Sequence, residues 1–365
     1  MEDGALSKPA AVLACAAMAS FYVGILYVPT LILRLPPPSS HTNFLIRRFK
    51  CAGVSSLVSV VVSAILLPIK SGEASQLIGV YGIRIDHIWQ AVVFPLALTA
   101  LMYAGSLTFM SLLLMHSLRE DVNCRGGLIK SISVEAVASL RSIASSVMHW
   151  RNYVVAPVTE ELVFRACMIP LLLCAGFQKN TVIFVCPIFF SLAHLNHLMD
   201  VYNKQQNNWT RACMIIGLQL GYTVVFGSYA SFLFIRTGHF LAPVVAHMFC
   251  NIMGFPLLVS PGKGIVSLAF LAGLLGFLWL LFPITNSGKF LWAVFSFSPS
   301  SSRFVKRNGN KVAHRVAKEA SKASHPLFCR SRDLLAPASM SRSIRVSLVK
   351  SSVANSYELS SQKSL

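Results

Sequence analysis

Long apolar stretches alternate with short polar segments along most of this chain. A helix needs about 20 predominantly apolar residues to cross the hydrocarbon core of a bilayer. Eight stretches approach or exceed that length, at approximately 10–33, 51–69, 89–115, 153–176, 181–199, 212–235, 240–259 and 264–282. The pattern therefore predicts an all-α fold, a polytopic membrane bundle of about eight transmembrane helices.

The polar positions divide the chain into three regions. Residues 1–150 contain three hydrophobic anchors and a Ser-rich segment at 117–150, which fits either an interfacial amphipathic helix or a plain connecting helix. Residues 151–285 contain the other spans and form the predicted catalytic membrane core, in which Pro170, Pro187 and Pro243 predict kinked helices around a cavity. Residues 286–365 are basic and rich in Ser, and we expect this tail to be largely disordered.

Composition excludes a soluble domain, because only 12% of residues are charged and 55% are hydrophobic, whereas soluble domains carry about 25% charged residues. The net charge is +19, and the residues after position 299 contribute 13 Lys/Arg against 3 Asp/Glu. No aromatic-interleaved basic module accompanies this charge, so we expect anionic membrane lipids and no nucleic acid as partners. The nine cysteines include no CxxC pair, which argues against a disulfide framework.

Membrane orientation is left ambiguous by the positive charges. Arg47, Arg48 and Lys50 predict a basic, cytosolic first loop, and the basic tail predicts a cytosolic C-terminus. Eight spans would place the first loop and the tail on opposite sides of the membrane. Either one span is miscounted or one of the two signals is weak.

Three charged residues interrupt the fourth predicted span, in the sequence Thr-Glu-Glu-Leu-Val-Phe-Arg at 159–165. Each ionised side chain at the centre of a membrane helix costs roughly 2.5–3.5 kcal/mol on insertion scales. Glu161 and Arg165 are four residues apart, so they share a helix face and are expected to pair. Glu160 lies about 100° away around the helix. The spacing thus predicts a structural role for Glu161 and Arg165 and leaves Glu160 available for chemistry.

Two further polar clusters lie in apolar spans. His194 and His197 are three residues apart in the fifth span, and His247 and Asn251 are four apart in the seventh. A single buried histidine is more often a packing residue than a catalytic one, but three clusters in neighbouring spans indicate a functional site. Glu160 can act as a general base on water that His194 holds. His247 and Asn251 can donate hydrogen bonds to the oxyanion of a tetrahedral intermediate.

This set of groups predicts metal-free hydrolysis of an amide without a protein nucleophile. A zinc site made by His194, His247 and Glu160 is the alternative, with two histidines and one carboxylate as ligands. There is no HExxH pair, and Asn is a poor zinc ligand, so the metal-free interpretation is preferred.

The motif Glu-Glu-x-x-x-Arg at 160–165, followed by Phe-x-x-x-His at 190–194 and His-x-x-x-Asn at 247–251, resembles the type II CAAX prenyl endopeptidases. These are Ras-converting, glutamate-dependent intramembrane proteases of the endoplasmic reticulum. The likeness covers 156–256, whereas the first 85 or so residues resemble the family only in hydropathy. The sequence departs from the family at Ser191, where Gly is frequent, and at Asn196, where a further His is frequent. Neither residue has a role assigned above.

The resemblance implies removal of the last three residues of prenylated CAAX proteins, such as small GTPases, at the endoplasmic reticulum membrane. It implies that Glu160 and His194 activate water, that His247 and Asn251 form the oxyanion hole, and that no cofactor is needed. Glu161, Arg165 and His197 would be supporting residues. Three other functions remain as alternatives: a zinc-dependent membrane protease, a non-proteolytic interaction or immunity protein, and a transporter, although no inverted repeat supports the last.

Overall fold

The computed structural model describes residues 6–36, 38–68, 74–124, 141, 144–257 and 264–285, and every regular element in these ranges is helical. The α-helices are α1 (Lys8–Gly24), α2 (Val28–Leu31), α3 (His41–Leu66), α4 (Ala74–Val80), α5 (Ile88–Met102), α6 (Ala104–Cys124), α7 (Val147–Trp150), α8 (Ala156–Glu161), α9 (Met168–Cys174), α10 (Lys179–Leu192), α11 (Leu198–Lys204), α12 (Trp209–Thr237), α13 (Leu241–Met253) and α14 (Gly264–Ile284). Two π-helical turns (Arg151–Val155 and Leu162–Cys167) and a 3₁₀ turn (Ala193–His197) complete the elements.

The described residues contain four helices that are long and apolar enough to cross a membrane: His41–Leu66, Lys179–Lys204, Trp209–Thr237 and Gly264–Ile284. A fifth candidate is the pair α5 and α6, which passes the same test as one span but bends by 78° between the two helices. The helices α1 and α13 are apolar but shorter. The all-helical membrane architecture is therefore present with four to five candidate spans, and the count of eight stays a prediction.

The start of α3 corrects one sequence-based prediction. The cations Arg47, Arg48 and Lys50 were assigned to a loop, but the helix already begins at His41. Its first turn is capped by Ser40, whose hydroxyl accepts a hydrogen bond from the backbone N–H of Asn43 at 3.1 Å. The three basic residues are therefore helical, and the prediction of a basic first loop was wrong.

One continuous helical segment, residues 147–174, carries both glutamates, and we call it the glutamate helix. It contains the two π-helical turns, each followed within three residues by a proline, Pro157 or Pro170. A proline has no backbone N–H, and its ring clashes with the carbonyl four residues before it. Those carbonyls belong to residues 153 and 166, which lie within the π turns. The wider turn gives each ring room without breaking the helix.

The glutamate helix lies at the centre of the packed helices. Its second half is enclosed, and every residue from 163 to 173 is buried. Helices α1 and α3 pack on one side of it, and α10, α12 and α13 pack on the others. The main hydrophobic core forms around this segment. Glu161 and Arg165 lie within this enclosed part of the helix, and both side chains are fully buried.

Several predictions lie outside the described residues. They include most of the segment at 117–150, predicted as an interfacial or connecting helix, and the whole basic tail at 286–365. The division of the chain into three regions at 150 and 285 stays a prediction.

Candidate active site

A buried chain of polar contacts runs from Arg165 through Glu161 to His247. Nη1 of Arg165 donates a hydrogen bond to Oε1 of Glu161 at 3.0 Å, and neither side chain is exposed. This is the pair that the spacing of four residues predicts. The guanidinium group also stacks on Phe190, 4.4 Å from the ring centroid, and Nη2 contacts the carbonyl oxygen of Gly227 at 3.4 Å. The cation is thereby compensated by a carboxylate, a carbonyl and an aromatic face.

His247 connects the two glutamates. Its Nδ1 atom lies 2.8 Å from Oε1 of Glu161, which is hydrogen-bonding distance. Its Nε2 atom lies 3.7 Å from Oε2 of Glu160, so that contact is electrostatic rather than a direct hydrogen bond. Because a carboxylate accepts, Nδ1 carries a proton, and the ring orientation is fixed. One water molecule can contact both Nε2 of His247 and the carboxylate of Glu160.

Glu160 differs from its neighbour in its surroundings. Its side chain is 19% exposed and lines a cavity of about 100 Å³, which is enough for several water molecules. The cavity is lined by residues from α1, α3, the glutamate helix, α10 and the 3₁₀ turn. Its polar lining consists of Tyr22, Arg48, Arg151, Thr159, Glu160, His194, Asn196 and His197. Glu160, which the helical spacing leaves unpaired, is thus the glutamate whose carboxylate faces a cavity that can hold water.

His194 and His197 lie on the 3₁₀ turn that follows α10, and both line the same cavity. Nδ1 of His194 is 2.9 Å from the carbonyl oxygen of Phe190. A carbonyl only accepts, so this contact places the proton of a neutral ring on Nδ1 and makes Nε2 the acceptor. The ring of Phe190 packs edge-on against both His194 and His247, with centroids at 4.9 Å and 6.1 Å. His194 is therefore oriented as a proton acceptor beside Glu160.

Asn251 follows His247 by one turn on α13. Its Nδ2 donates to the backbone carbonyl oxygen of Asn152 at 2.8 Å. Asn152 lies in the first π turn, so this bond ties α13 to the glutamate helix. Neither Asn251 nor His247 is among the side chains that line the cavity. Glu160, His194 and His197 therefore line the same cavity. His247 lies at the edge of this cavity, and the side-chain amide of Asn251 is hydrogen-bonded to the backbone.

Three residues of this region escaped the sequence reasoning, Tyr22, Arg151 and Asn152, and Arg48 was interpreted only as a charge of the first loop. The hydroxyl of Tyr22 is 3.0 Å from Oγ1 of Thr159, which itself donates to the carbonyl of Val155, so α1 is tied to the glutamate helix. A hydropathy pattern assigns such residues either to the ends of membrane spans or to the apolar helix surface that packs in the core. The only available signal was the position of Arg151 immediately before an apolar span.

A metal site was the alternative for the same residues. Among the residues with a described placement, no group of three or more His, Cys, Asp or Glu side chains is arranged to hold a metal ion. Instead, His247 uses Nδ1 for Glu161. The zinc alternative is decided by the chelation experiment given below.

The fold and the site together define a class: an all-helical membrane protein with a glutamate beside a water-sized cavity and a second, buried glutamate held by Arg and His. A family profile described as type II CAAX prenyl endopeptidase Rce1-like matches residues 142–253. CAAX prenyl protease 2 of Arabidopsis thaliana is 59% identical over 287 residues, covering 78% of this chain and 92% of that protein. The chain belongs to the Rce1-like family of type II CAAX prenyl endopeptidases.

More distant relatives match the chain at lower identity. The human CAAX prenyl protease 2 is 36% identical over 75% of this chain and 81% of its own length. The protein of the same name from Caenorhabditis elegans is 31% identical over 58% of this chain and 72% of its own length. No solved structure matches the chain.

Proposed function

We propose that this protein is a membrane endopeptidase that removes the C-terminal tripeptide, aaX, from proteins with a prenylated CAAX cysteine. The observation that carries the proposal is the unequal environment of the two adjacent glutamates. Glu161 is fully buried between Arg165 and His247, whereas Glu160 faces the cavity. Family membership supplies the substrate class, since the relatives carry the name CAAX prenyl protease 2.

The reaction begins with a water molecule in the cavity. Glu160 accepts a proton from this water, and His194 accepts a hydrogen bond from it through Nε2, which orients its lone pair. The oxygen attacks the carbonyl carbon of the scissile peptide bond and forms a tetrahedral intermediate. The C–N bond then breaks as Glu160 returns its proton to the departing amine. The proton that Glu160 takes from water is returned to the amine, and no covalent bond forms between enzyme and substrate.

The negative charge of the intermediate needs hydrogen-bond donors. His247 supplies one from Nε2 in the form of the ring that carries a proton on each nitrogen, with Nδ1 donating to Glu161. Asn251 supplies a second from its side-chain amide, whose Nδ2 donates to the carbonyl oxygen of Asn152 in this structure. Removing one such donor typically lowers turnover by about 10²–10³-fold.

The substrate arrives on its prenyl chain. An anchor in the cytosolic leaflet of the endoplasmic reticulum membrane holds the reacting end close to the cavity and lowers the entropy cost of attack. Eight transmembrane helices, contact with anionic lipid and small GTPases as substrates belong to this proposal. No cofactor takes part in it.

Cleavage of a farnesylated CAAX peptide by purified protein in detergent tests the proposal. Wild type, Glu160→Gln and Glu161→Gln are assayed side by side, each with and without a zinc chelator. We expect wild type to release the tripeptide with or without chelator, and Glu160→Gln to release it at least about 10²-fold more slowly while remaining folded. Activity that disappears on chelation and returns with zinc would assign the residues to a metal site. A folded wild-type protein that releases no peptide would favour the non-proteolytic alternative.

A further inference from the structure

Two arginines face the cavity from different helices and are not used by the reaction above. Arg48 extends from α3, and Arg151 extends from the first π turn of the glutamate helix. Both line the cavity together with Glu160, and Arg151 is close enough to interact electrostatically with both of the others. Two like charges at one cavity repel each other, and an anion that approaches both would relieve this repulsion.

The described residues do not supply hydrogen-bond acceptors for all the donors of these two guanidinium groups. Arg48 stacks on Phe44, with its central carbon 5.4 Å from the ring centroid. Nη1 of Arg151 is buried and has no hydrogen-bond partner among the described residues. In the same described part of the chain, neither arginine forms a salt bridge with a carboxylate. A buried donor on a cation without an acceptor is costly, and a ligand oxygen would satisfy it.

The π turn determines that Arg151 reaches this cavity. Nine residues of regular α-helix make about two and a half turns, which would put Arg151 and Glu160 on opposite faces. The π turn at Arg151–Val155 turns less per residue, and both side chains line the same space. The rise of about 1.5 Å per residue separates their backbones by about 13 Å. Three extended residues span about 10 Å, which is a similar reach.

We propose that Arg48 and Arg151 bind the free C-terminal carboxylate of the substrate and thereby set the cleavage position at three residues from the chain end. The inference deepens the proposed function and rests on it. Arginine presents paired donors that match both oxygens of a carboxylate. The terminal carboxylate is the only charge that every CAAX substrate carries at this position, whatever its last side chain. The two arginines are positioning residues and do not touch the scissile bond.

The test compares two farnesylated peptides of identical sequence, one ending in a carboxylate and the other in a carboxamide. We expect wild type to cleave the carboxylate peptide with a kcat/KM about 10- to 100-fold higher, as expected for charge-assisted hydrogen bonds. The difference should lie mainly in KM, because the contact is made before and during the reaction. Arg151→Gln and Arg48→Gln should each reduce the preference, chiefly by weakening cleavage of the carboxylate peptide.

Arg47→Gln is the matched control. Arg47 is on the same helix turn as Arg48, but its Nη2 donates to the carbonyl oxygen of Pro36 at 3.1 Å, and it does not line the cavity. This variant should keep the wild-type preference. The ratio between the two peptides is measured within one preparation, so partial misfolding of a variant does not change it. If Arg151→Gln cannot be purified, the peptide preferences of Arg48→Gln and Arg151→Lys are compared with that of wild type instead.

Three outcomes would overturn the inference. The first is equal activity of wild type on both peptides. The second is a loss of activity in both arginine variants that has the same proportion on the two peptides. The third is an effect of the arginines that appears only when anionic lipid is added to neutral detergent, equally for both peptides, which would assign them to a lipid phosphate. Failure of the proposed function looks different, because wild type would then release no tripeptide from either peptide.

Discussion

Nδ1 of His247 and Nη1 of Arg165 both donate to one oxygen atom, Oε1 of Glu161, at 2.8 Å and 3.0 Å. The three side chains come from the glutamate helix and α13, and the histidine is 86 residues from the glutamate in sequence. This convergence makes Glu161 the centre of a buried ionic cluster. Glu160, its sequence neighbour, contacts the same histidine only at 3.7 Å. The cluster thus separates a fully buried carboxylate, that of Glu161, from one that faces the cavity, that of Glu160.

Arg165→Ala should destabilise the protein by about 3–5 kcal/mol, because it leaves Glu161 as a buried, uncompensated charge. Its site is completely enclosed, so water cannot replace the guanidinium group. Thermal unfolding in detergent and the yield of monodisperse protein are the measurements. Arg84→Ala is the control, since Arg84 pairs with Asp86 at the surface and such pairs contribute little. A normally stable Arg165→Ala protein would show that the buried pair is not structural.

Glu160→Gln should lower turnover by about 10²–10⁴-fold or more, as expected for loss of a general base. Its unfolding midpoint should stay close to that of wild type, because the side chain is partly exposed and accepts no short hydrogen bond from His247. Glu161→Gln should instead lower both stability and turnover. Single-turnover cleavage and thermal unfolding distinguish the two variants. If they behaved alike in both measurements, the division of roles between the glutamates would fail.

The two isosteric replacements of His194 should differ in activity. Asn places an amide near the position of Nδ1, next to the carbonyl of Phe190, whereas Gln reaches the position of Nε2. Since Nε2 is the atom assigned to the water, His194→Gln should retain more activity than His194→Asn. The comparison uses kcat on the farnesylated peptide, with folding checked for both variants. Greater activity in His194→Asn would mean that the backbone contact, and not contact with water, is the function of the ring.

Local spacing was enough to predict the pairing of Glu161 with Arg165, because residues four apart share a face of any helix. The same rule grouped His194 with His197, and both line one cavity. It could not join His247 to Glu161, because that contact depends on how α13 packs against the glutamate helix. Sequence reasoning therefore predicted the pairing within one helix but not the cluster that connects two helices.

Other features depend on packing or on subtle backbone geometry. Hydropathy predicted a single span at 89–115, but the chain bends by 78° after Met102. A Cβ at Gly273 of α14 would collide with the carbonyl oxygen of Leu101, so the bent pair and α14 are in close contact there. The π turn at Arg151–Val155 likewise changes which side chains face the cavity. Neither effect has a signature in a pattern of apolar residues.

Gly227 of α12 provides a test of how closely Arg165 is enclosed. A Cβ at this position would lie 2.8 Å from Cβ of Pro187 and 3.0 Å from Nη2 of Arg165. Gly227→Ala should therefore cost about 1–3 kcal/mol through overpacking. It should also lower turnover, since a displaced guanidinium group disturbs Glu161 and, through it, His247. Thermal unfolding and peptide cleavage measure the two effects.

The control for this prediction is Gly221→Ala on the same helix, where an added Cβ has no neighbour within 4 Å. Alanine is favoured over glycine inside a helix by roughly 0.5–1 kcal/mol, so this variant should be as stable as wild type or more so. The two substitutions share their chemistry and their helix, and they differ only in what the methyl group meets. Opposite signs of the stability change would place the guanidinium group of Arg165 against α12. Equal, favourable changes in both variants would show that this part of the site is loosely packed, and the ionic cluster would then not depend on close contact with α12.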